Sequence, residues 1–219
     1  MIMFFEQEQP EIQENLDYSI EKGCHQTKIL DFLRNNLSEF SRDFNTPTAT
    51  LEQDIDINRE DYISQELQFF LFNKVEQSGY VFVFQAKGPD ILARQFGAKI
   101  HSPILLFIEA KRLPSTSSQD YVKTGIGRFK KEKHGKQHDV AAMLGYVQEK
   151  DFSHWHNEVN CWITALISDK NENPGWTKEE QINKVQITDI GEYQSIHRRI
   201  SKEPIKLHHF WINLCNHKN

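Results

Sequence analysis

The sequence has few cysteines and no long apolar segment, and both shortages exclude classes of protein. Cys24, Cys161 and Cys215 are odd in number, lie far apart and form no Cys-x-x-Cys pair. This pattern argues against a disulfide framework or a cysteine zinc cluster and fits a reducing cytoplasm, where we expect the protein to act. No apolar run reaches about 18 residues, so no membrane span is expected. The apolar start at 1–5 lacks a basic lead and turns acidic at Glu6, so no secretory signal is expected.

Other familiar catalytic motifs are also missing. The chain has no Gly-x-x-x-x-Gly-Lys-Ser/Thr loop and no Gly-x-Ser-x-Gly elbow, so neither ATP hydrolysis nor that type of serine hydrolase is indicated. Three histidine pairs have a spacing that metal sites use: His154 with His156, His208 with His209, and His134 with His138. None has two further ligands in a local motif, so we interpret them as loop and strand histidines rather than zinc ligands. A histidine-metal nuclease is disfavoured for the same reason.

The length of 219 residues suits one domain with a full core, and the net charge is −5. A negative chain is an unusual binder of nucleic acid, because neutralising phosphates needs a basic surface. Its basic residues are nevertheless concentrated after the middle of the chain, at Arg128, Lys130, Lys131, Lys133 and Lys136. This block predicts either a contact with a phosphate backbone or a solvated loop.

The first fifty residues predict a helical extension, 1–50, ahead of a main domain, 51–219. Over Gln26 to Phe40, apolar residues recur at helical spacing, as at Ile29 and Leu33. A break follows at 45–48. Such a helix docks on its own domain, on a second copy of the chain or on a partner protein, and the sequence leaves these open.

Two acids and a lysine follow predicted strands in a pattern suited to metal chemistry. Pro89-Asp90 comes first, and Glu109-Ala110-Lys111 ends the apolar run 103–108. Mg²⁺ prefers oxygen ligands and is usually held by one or two carboxylates together with substrate phosphate oxygens. Asp90, Glu109 and the carbonyl of Ala110 are suitable ligands. Lys111 lies on the face of Glu109, because residues two apart in a strand point the same way, and would assist water or stabilise charge on phosphorus.

The surrounding segments predict how these residues are presented. Residues 61–75 have helical spacing, with Glu66 on the apolar face, and Glu60 and Asp61 are alternatives one turn earlier. Gly79 ends this helix. Strands are then predicted at 80–85, 90–96 and 104–112, and the serine-rich stretch 114–118 is interpreted as a loop.

This order resembles the PD-(D/E)XK nuclease superfamily, which has the restriction-endonuclease-like fold. In that family a helix with a glutamate precedes a strand, Pro-Asp opens the next strand, and a third ends in Glu-x-Lys. The resemblance continues through Gly125 to Phe129 and through 141–147, and it covers roughly 60–167. The spacing of apolar residues in 140–147 predicts a helix, and apolar runs predict strands at 159–167 and 207–214.

The resemblance implies an α/β fold in which a mixed central sheet is flanked by helices. It further implies a Mg²⁺-dependent endonuclease, with Mn²⁺ as a possible substitute, in which Asp90, Glu109, Ala110 and Glu66 hold the metal. DNA is the implied substrate, and bacterial defence against phage is the implied role. A small domain has little room both to read and to cut DNA, so a homodimer or a partner subunit is expected. Two alternatives stay open. One is a catalytically silent module that binds a protein or a nucleic acid, and the other is an RNA-cleaving toxin. A solvated Glu109–Lys111 pair, with Asp90 following a Gly-Pro turn, is the interpretation without a metal site.

Overall fold

The structure is a computed structural model that describes residues 9–45, 60–85, 88, 90–99, 102–113, 119–201 and 203–215, with side chains from residue 21 onward. The helices are α1 (Gln9–Phe44), α2 (Glu60–Phe72), α3 (Val75–Ser78), a π-helix (Tyr121–Ile126) that continues into α4 (Gly127–Lys130), α5 (Phe152–Ile167) and a short 3₁₀ turn (Lys178–Glu180). The strands are β1 (Tyr80–Phe84), β2 (Ile91–Gln95), β3 (Leu106–Leu113), β4 (Val140–Val147), β5 (Asn183–Ile187), β6 (Ile190–His197) and β7 (Ile205–Asn213).

The described strands form one seven-stranded sheet in the order β1-β2-β3-β4-β7-β6-β5. β1, β2 and β3 form an antiparallel meander, whereas β3, β4 and β7 run parallel at the centre. β5 and β6 complete the far side as antiparallel strands. The sheet is therefore mixed, and its parallel central strands are covered on both faces, as parallel strands require.

Each face of the sheet has its own apolar core. One core contains α1 and α2 residues such as Leu33 and Leu67, packed against Ile108 and Phe210. The other contains residues of the π-helix, α4 and α5, packed against alternate residues of the same strands, including Trp211. The prediction of an α/β protein with a mixed sheet flanked by helices and an N-terminal helix is confirmed.

Helix α1 docks on its own domain. Ile29, Leu33 and Leu37 are fully buried in the first core. The Arg34 guanidinium donates two hydrogen bonds, of 2.8 and 2.6 Å, to the Glu192 carboxylate of β6, which is almost fully buried. Polar and apolar contacts thus both attach the N-terminal helix to the sheet.

Several predicted elements lie where the sequence indicated. The predicted helix 61–75 corresponds to α2 and α3, and Gly79 ends α3 with a left-handed backbone, φ 71°. The strands predicted at 80–85, 90–96, 104–112 and 207–214 correspond to β1, β2, β3 and β7. Pro89 and the predicted loop 114–118 lie outside the described residues.

Two predicted elements are wrong, and their types are exchanged. Residues 140–147 form strand β4 rather than a helix. β4 lies between β3 and β7 with both faces covered, so nearly every residue is apolar, and a fully apolar run satisfies helical spacing by coincidence. Residues 159–167 belong to helix α5 rather than a strand, and the helix begins earlier, where the Asp151 side chain accepts a hydrogen bond from the His154 backbone N–H at 2.7 Å.

The buried residues of α5 are Trp155, Val159, Trp162, Ile163 and Leu166, which fall on one helical face. No helix among the described residues is long and apolar enough to cross a membrane.

Candidate functional site

The candidate site lies where β2 stops pairing with β3. Ile91 and Ile108 are the last paired residues at this end, and β3 continues beyond them to Leu113. In a strand the N–H and C=O of one residue point to the same side, so Ala110 and Arg112 direct their backbone groups into the gap that β2 leaves. Backbone groups left in such a gap need partners from elsewhere.

Two carboxylates fill that gap. Asp90 Oδ2 accepts a hydrogen bond of 2.7 Å from the Ala110 N–H, and Glu60 Oε2 accepts one of 3.1 Å from the Arg112 N–H. Asp90 directly precedes β2, and Glu60 is the first residue of α2. The residue before one strand and the beginning of one helix thus place two acids beside the edge of β3 that β2 leaves unpaired.

The Lys111 ammonium is surrounded by four oxygen atoms from four residues. Nζ lies 2.6 Å from the Ala110 carbonyl oxygen, 3.0 Å from Glu60 Oε1, 3.1 Å from Glu109 Oε1 and 3.4 Å from Asp90 Oδ2. Burial lowers the pKa of Lys111, but the negative charges of Glu109, Asp90 and Glu60 outweigh this and raise it above its ordinary value. Lys111 is therefore a cation at neutral pH.

Glu109 is fully buried, and its two oxygens have different surroundings. Oε1 contacts the Lys111 ammonium and accepts a hydrogen bond from the Arg128 guanidinium. Oε2 has no hydrogen-bond partner among the described residues, and its neighbour His134 Nε2, 3.7 Å away, has none there either. Burial raises the pKa of the Glu109 carboxyl to about 7, although Lys111 and Arg128 act in the opposite direction.

The charges around this point do not balance. Glu60, Asp90 and Glu109 carry three negative charges when ionised, and Lys111 and Arg128 carry two positive charges. Burial, and then the Arg128 charge, lower the pKa of His134 to about 4, so the imidazole adds no charge at pH 7. One negative charge is left in excess, which favours either a proton on Glu109 or an additional cation.

A glycine brings the helix that carries Arg128 close to Lys111. A Cβ at Gly125 would lie 2.6 Å from Met143 Cε and 3.4 Å from Lys111 Cγ. Only glycine fits here without displacing Met143. The methylene chain of Lys111 therefore packs directly against the π-helix, and Arg128 follows in the next turn.

The glutamate contributed by α2 is Glu60 rather than Glu66. The buried residues of α2, such as Ile63, Leu67 and Leu71, recur at helical spacing from Glu60, so Glu60 lies on the buried face. Glu66, six residues later, is turned by about 120° from that face. It lies beside Tyr62, whose pKa is raised by burial and by the Glu66 carboxylate, and it makes no ion pair with Lys111 among the described contacts.

The basic residues are not equivalent. Lys130 is buried, and its ammonium pairs with Glu180 and lies 4.5 Å from the ring centroid of Trp176, so it faces the core. Lys131 is partly exposed and pairs with Glu172 at 3.1 Å. Lys133 and Lys136 are exposed. Arg128 is partly exposed beside Glu109 and, among the described contacts, is the one member of the block that touches the acidic cluster.

The donor atoms suit a hard divalent cation. Carboxylate and carbonyl oxygens are the ligands that Mg²⁺ takes, and the unpaired Glu109 Oε2 is available to it. Among the described residues, however, no three His, Cys, Asp or Glu side chains already converge to hold an ion, because the Lys111 ammonium lies between the acids. The residues fit the ion chemically, and Lys111 competes with it for the same oxygens.

No protein-family model matches the chain, and searches of curated proteins and of solved structures likewise found no match. The class that the fold defines is an α/β protein with a mixed seven-stranded sheet flanked by helices.

Proposed function

We propose that this protein is a metal-dependent nuclease with a restriction-endonuclease-like core, acting on DNA. The observation that carries the proposal is the convergence of four oxygen donors on the Lys111 ammonium at the unpaired edge of β3. They come from Glu60, Asp90, Glu109 and the Ala110 carbonyl. The order α2, β1, β2, β3 also agrees with the resemblance found in the sequence. A role in defence against phage is part of the proposal and has its support in that resemblance alone.

Asp90, Glu109, Glu60 and the Ala110 carbonyl would hold Mg²⁺ or Mn²⁺. When bound, such an ion supplies Lewis-acid polarisation of a phosphate oxygen and acidification of a water molecule. Glu60 replaces Glu66 in this set because of its contacts with Lys111 and with the Arg112 N–H. Asp90 and Glu60 also fix the position of β3, since each accepts a backbone hydrogen bond from it.

Lys111 stabilises negative charge in this proposal. Its raised pKa keeps the ammonium protonated at neutral pH, so it is suited to electrostatic stabilisation of charge on a phosphate and to proton donation. Accepting a proton from water is disfavoured while the surrounding carboxylates are ionised. The packing of its stem against Gly125 restricts where the ammonium can move.

The nucleic-acid backbone would contact Arg128, Lys133 and Lys136. Arg128 is partly exposed at the rim of the acidic cluster, and the two lysines are exposed in the segment that follows α4. Lys130 is left out because it is buried with Glu180, and Lys131 contributes less because it already pairs with Glu172. Arg128 at the cluster and two exposed lysines in the segment after α4 reduce the electrostatic objection that the net charge of −5 raises.

A second candidate is a nuclease-like module that binds nucleic acid or protein without cutting. The observation that favours it is the position of the Lys111 ammonium, which already neutralises the carboxylates that a metal would need. Both candidates predict binding by the same surface, and they differ in whether a divalent cation binds and whether strands are broken.

The test measures cleavage of plasmid DNA, with RNA in parallel, by the purified full chain with Mg²⁺ or Mn²⁺ and with chelator. We expect metal-dependent nicking that Asp90→Asn and Lys111→Met each reduce by about a hundredfold or more, because each removes a charged group from the reacting centre. A preference for RNA would change the substrate in the proposal to that of an RNA-cleaving toxin.

Two glutamates of α2 provide a matched pair in the same assay. Glu60→Gln should reduce cleavage about as strongly as Asp90→Asn, whereas Glu66→Gln, on another face of the same helix, should leave it near the wild-type rate. Folding is checked by circular dichroism. Equal behaviour of wild type and all variants, on DNA and on RNA, would refute the enzyme and leave the binding module.

A further inference from the structure

The observation that the proposed function leaves unused is a pair of buried polar atoms facing each other. Glu109 Oε2 and His134 Nε2 lie 3.7 Å apart, and neither has a hydrogen-bond partner among the described residues. Glu109 is fully buried and His134 is 9% exposed. Buried polar groups ordinarily have hydrogen-bond partners, so two such atoms facing each other call for a common partner.

The separation of these atoms fits two ligands of one metal ion. Carboxylate oxygen and imidazole nitrogen bind first-row metals at about 2.0–2.2 Å, so two ligands of one ion lie within about 4.2 Å of each other. A direct hydrogen bond at 3.7 Å is too long. The distance between Glu109 Oε2 and His134 Nε2 is therefore short enough for two ligands of one ion but too long for a direct hydrogen bond.

The surroundings hold His134 in this orientation. Its ring packs edge-on against Phe129, with 6.2 Å between centroids, and Arg128 binds the other oxygen of Glu109. Glu109 Oε2 and His134 Nε2 are thus left facing each other, as one oxygen donor and one nitrogen donor. Imidazole is a common ligand of first-row transition-metal ions, whereas Mg²⁺ prefers oxygen ligands alone.

We propose that His134 is a metal ligand which, together with Glu109, makes the site selective for a first-row transition-metal ion over Mg²⁺. The proposal rests on the proposed function, since Glu109 is a ligand in both. His134 is supplied by the segment after α4, so the ion would connect the strand that carries the acidic pattern to the segment that carries the exposed lysines.

The experiment uses the full chain with MnCl₂ alone, CoCl₂ alone and MgCl₂ alone as probes. Pulsed electron paramagnetic resonance of bound Mn²⁺ detects an imidazole nitrogen ligand directly, and calorimetry measures the affinity for each ion. We expect nitrogen modulation in the wild type and its loss in His134→Gln. The variant should bind Mn²⁺ and Co²⁺ at least about tenfold more weakly. Its affinity for Mg²⁺ should change by less than about threefold, since Mg²⁺ does not favour imidazole.

His138→Gln is the matched control. His138 is buried to the same extent four residues later, but its ring packs edge-on against Phe107, 4.7 Å between centroids, so this change should leave the nitrogen signal and all three affinities as in the wild type. Circular dichroism verifies folding. If His134→Gln does not fold, a wild-type spectrum without nitrogen modulation still overturns the proposal, and loss of the signal in His138→Gln would assign it to the other histidine.

The outcomes separate this inference from the function on which it rests. Metal-dependent cleavage together with Mn²⁺ binding that shows no nitrogen modulation would overturn the role of His134 and leave the nuclease standing. Equal weakening of Mn²⁺ and Mg²⁺ in His134→Gln would also overturn selectivity. Absence of any divalent-cation binding by the wild type would remove both proposals together.

Discussion

Two buried glutamates in this protein have opposite electrostatic environments. Glu180 is 1% exposed and accepts backbone hydrogen bonds from Thr177 at 2.9 Å and from Arg198 at 2.8 Å, in addition to its pair with Lys130. Glu109 has no exposed surface, and one of its oxygens has no hydrogen-bond partner in the described part of the chain. Burial would raise the pKa of both carboxyl groups, but His197 and Lys130 lower that of Glu180 to about 2, while that of Glu109 rises to about 7.

The difference distinguishes a structural ion pair from the cluster that we propose as a metal site. Each Glu180 oxygen accepts a backbone hydrogen bond, so the group fixes the 3₁₀ turn and the end of β6 in place. The cluster of Glu109, Asp90 and Glu60 has more negative than positive charge, and Glu109 Oε2 has no hydrogen-bond partner among the described residues. Carboxyl groups whose pKa is perturbed in this way are common at binding and catalytic sites.

The largest expected effect on stability comes from breaking the satisfied pair. Lys130→Met should lower the free energy of unfolding by about 3–5 kcal/mol, because it leaves the buried Glu180 charge without its cation. Urea unfolding at pH 7 measures this. The adjacent Lys131→Met is the control, since its partly exposed pair with Glu172 should be worth at most about 1 kcal/mol. Similar losses in the two variants would contradict the contrast between the two lysines.

Replacing each glutamate by glutamine should have effects of opposite sign. The carboxyl of Glu109 titrates near 4.5 when unfolded and near 7 when folded, so its ionised form lowers stability above pH 7, and that cost disappears as the pH falls towards 4.5. Glu109→Gln should therefore be more stable than wild type at pH 8, by an amount on the order of 1–3 kcal/mol, and nearly equal to it at pH 4.5.

The matching change Glu180→Gln should be destabilising at neutral pH by a similar amount. Its folded pKa of about 2 lies below the unfolded 4.5, so the stability it contributes is present above pH 4.5 and is lost as the pH falls towards 2. Thermal unfolding of the three proteins across this pH range measures both differences. Destabilisation by Glu109→Gln at pH 8 would show that the carboxylate is as well paired as Glu180.

Removing the Lys111 ammonium should strengthen cation binding while abolishing cleavage. Two charges about 4 Å apart interact by roughly 4 kcal/mol at an effective dielectric constant of 20, so a fraction of that energy is enough for tenfold tighter binding. Lys111→Met should thus be less stable than wild type without metal and gain more from added Mg²⁺ in a thermal-shift measurement. A smaller gain than that of wild type would indicate that Lys111 helps to hold the ion.

The smallest effect on stability is expected at the exposed lysines. Lys133→Gln and Lys136→Gln should each change the free energy of unfolding by no more than about 0.5 kcal/mol. If the lysine contacts a phosphate, each change should make the plot of log DNA affinity against log salt concentration less steep by about one unit. An unchanged slope in the double variant would place the DNA elsewhere.

The sequence predicted the parts of the site that depend on neighbouring residues. Strands β1 to β3 were predictable because Gly79 ends the preceding helix and the segment around Asp90 separates the first two runs of aromatic and aliphatic residues. The structure brings Asp90, Glu109 and Lys111 together at that point. Glu60 was only an alternative, because the face of α2 that packs on the sheet is decided by the fold rather than by the helix.

The features that the sequence did not predict depend on contacts between distant segments of the chain. Lys130 belongs to a basic run in the sequence, yet Glu180, fifty positions later, draws it into the core. His134 had no local partner to suggest a connection with Glu109. The exchanged predictions for β4 and α5 have the same origin, because only the sheet order shows that 140–147 is covered on both faces.

The place of β7 between β4 and β6 has a consequence for synthesis of the protein. Residues 205–213 pair with β4 on one side and β6 on the other, so β5 and β6 have no strand that joins them to the meander until this segment has left the ribosome. Domains fold as units, and pairing of distant segments is slow. Asp90, Glu109 and Lys111 are synthesised early, but β4, the strand that pairs with β3, gains its second neighbour β7 late. A chain proposed to cut DNA would then become active only after nearly all of the described sequence has been translated.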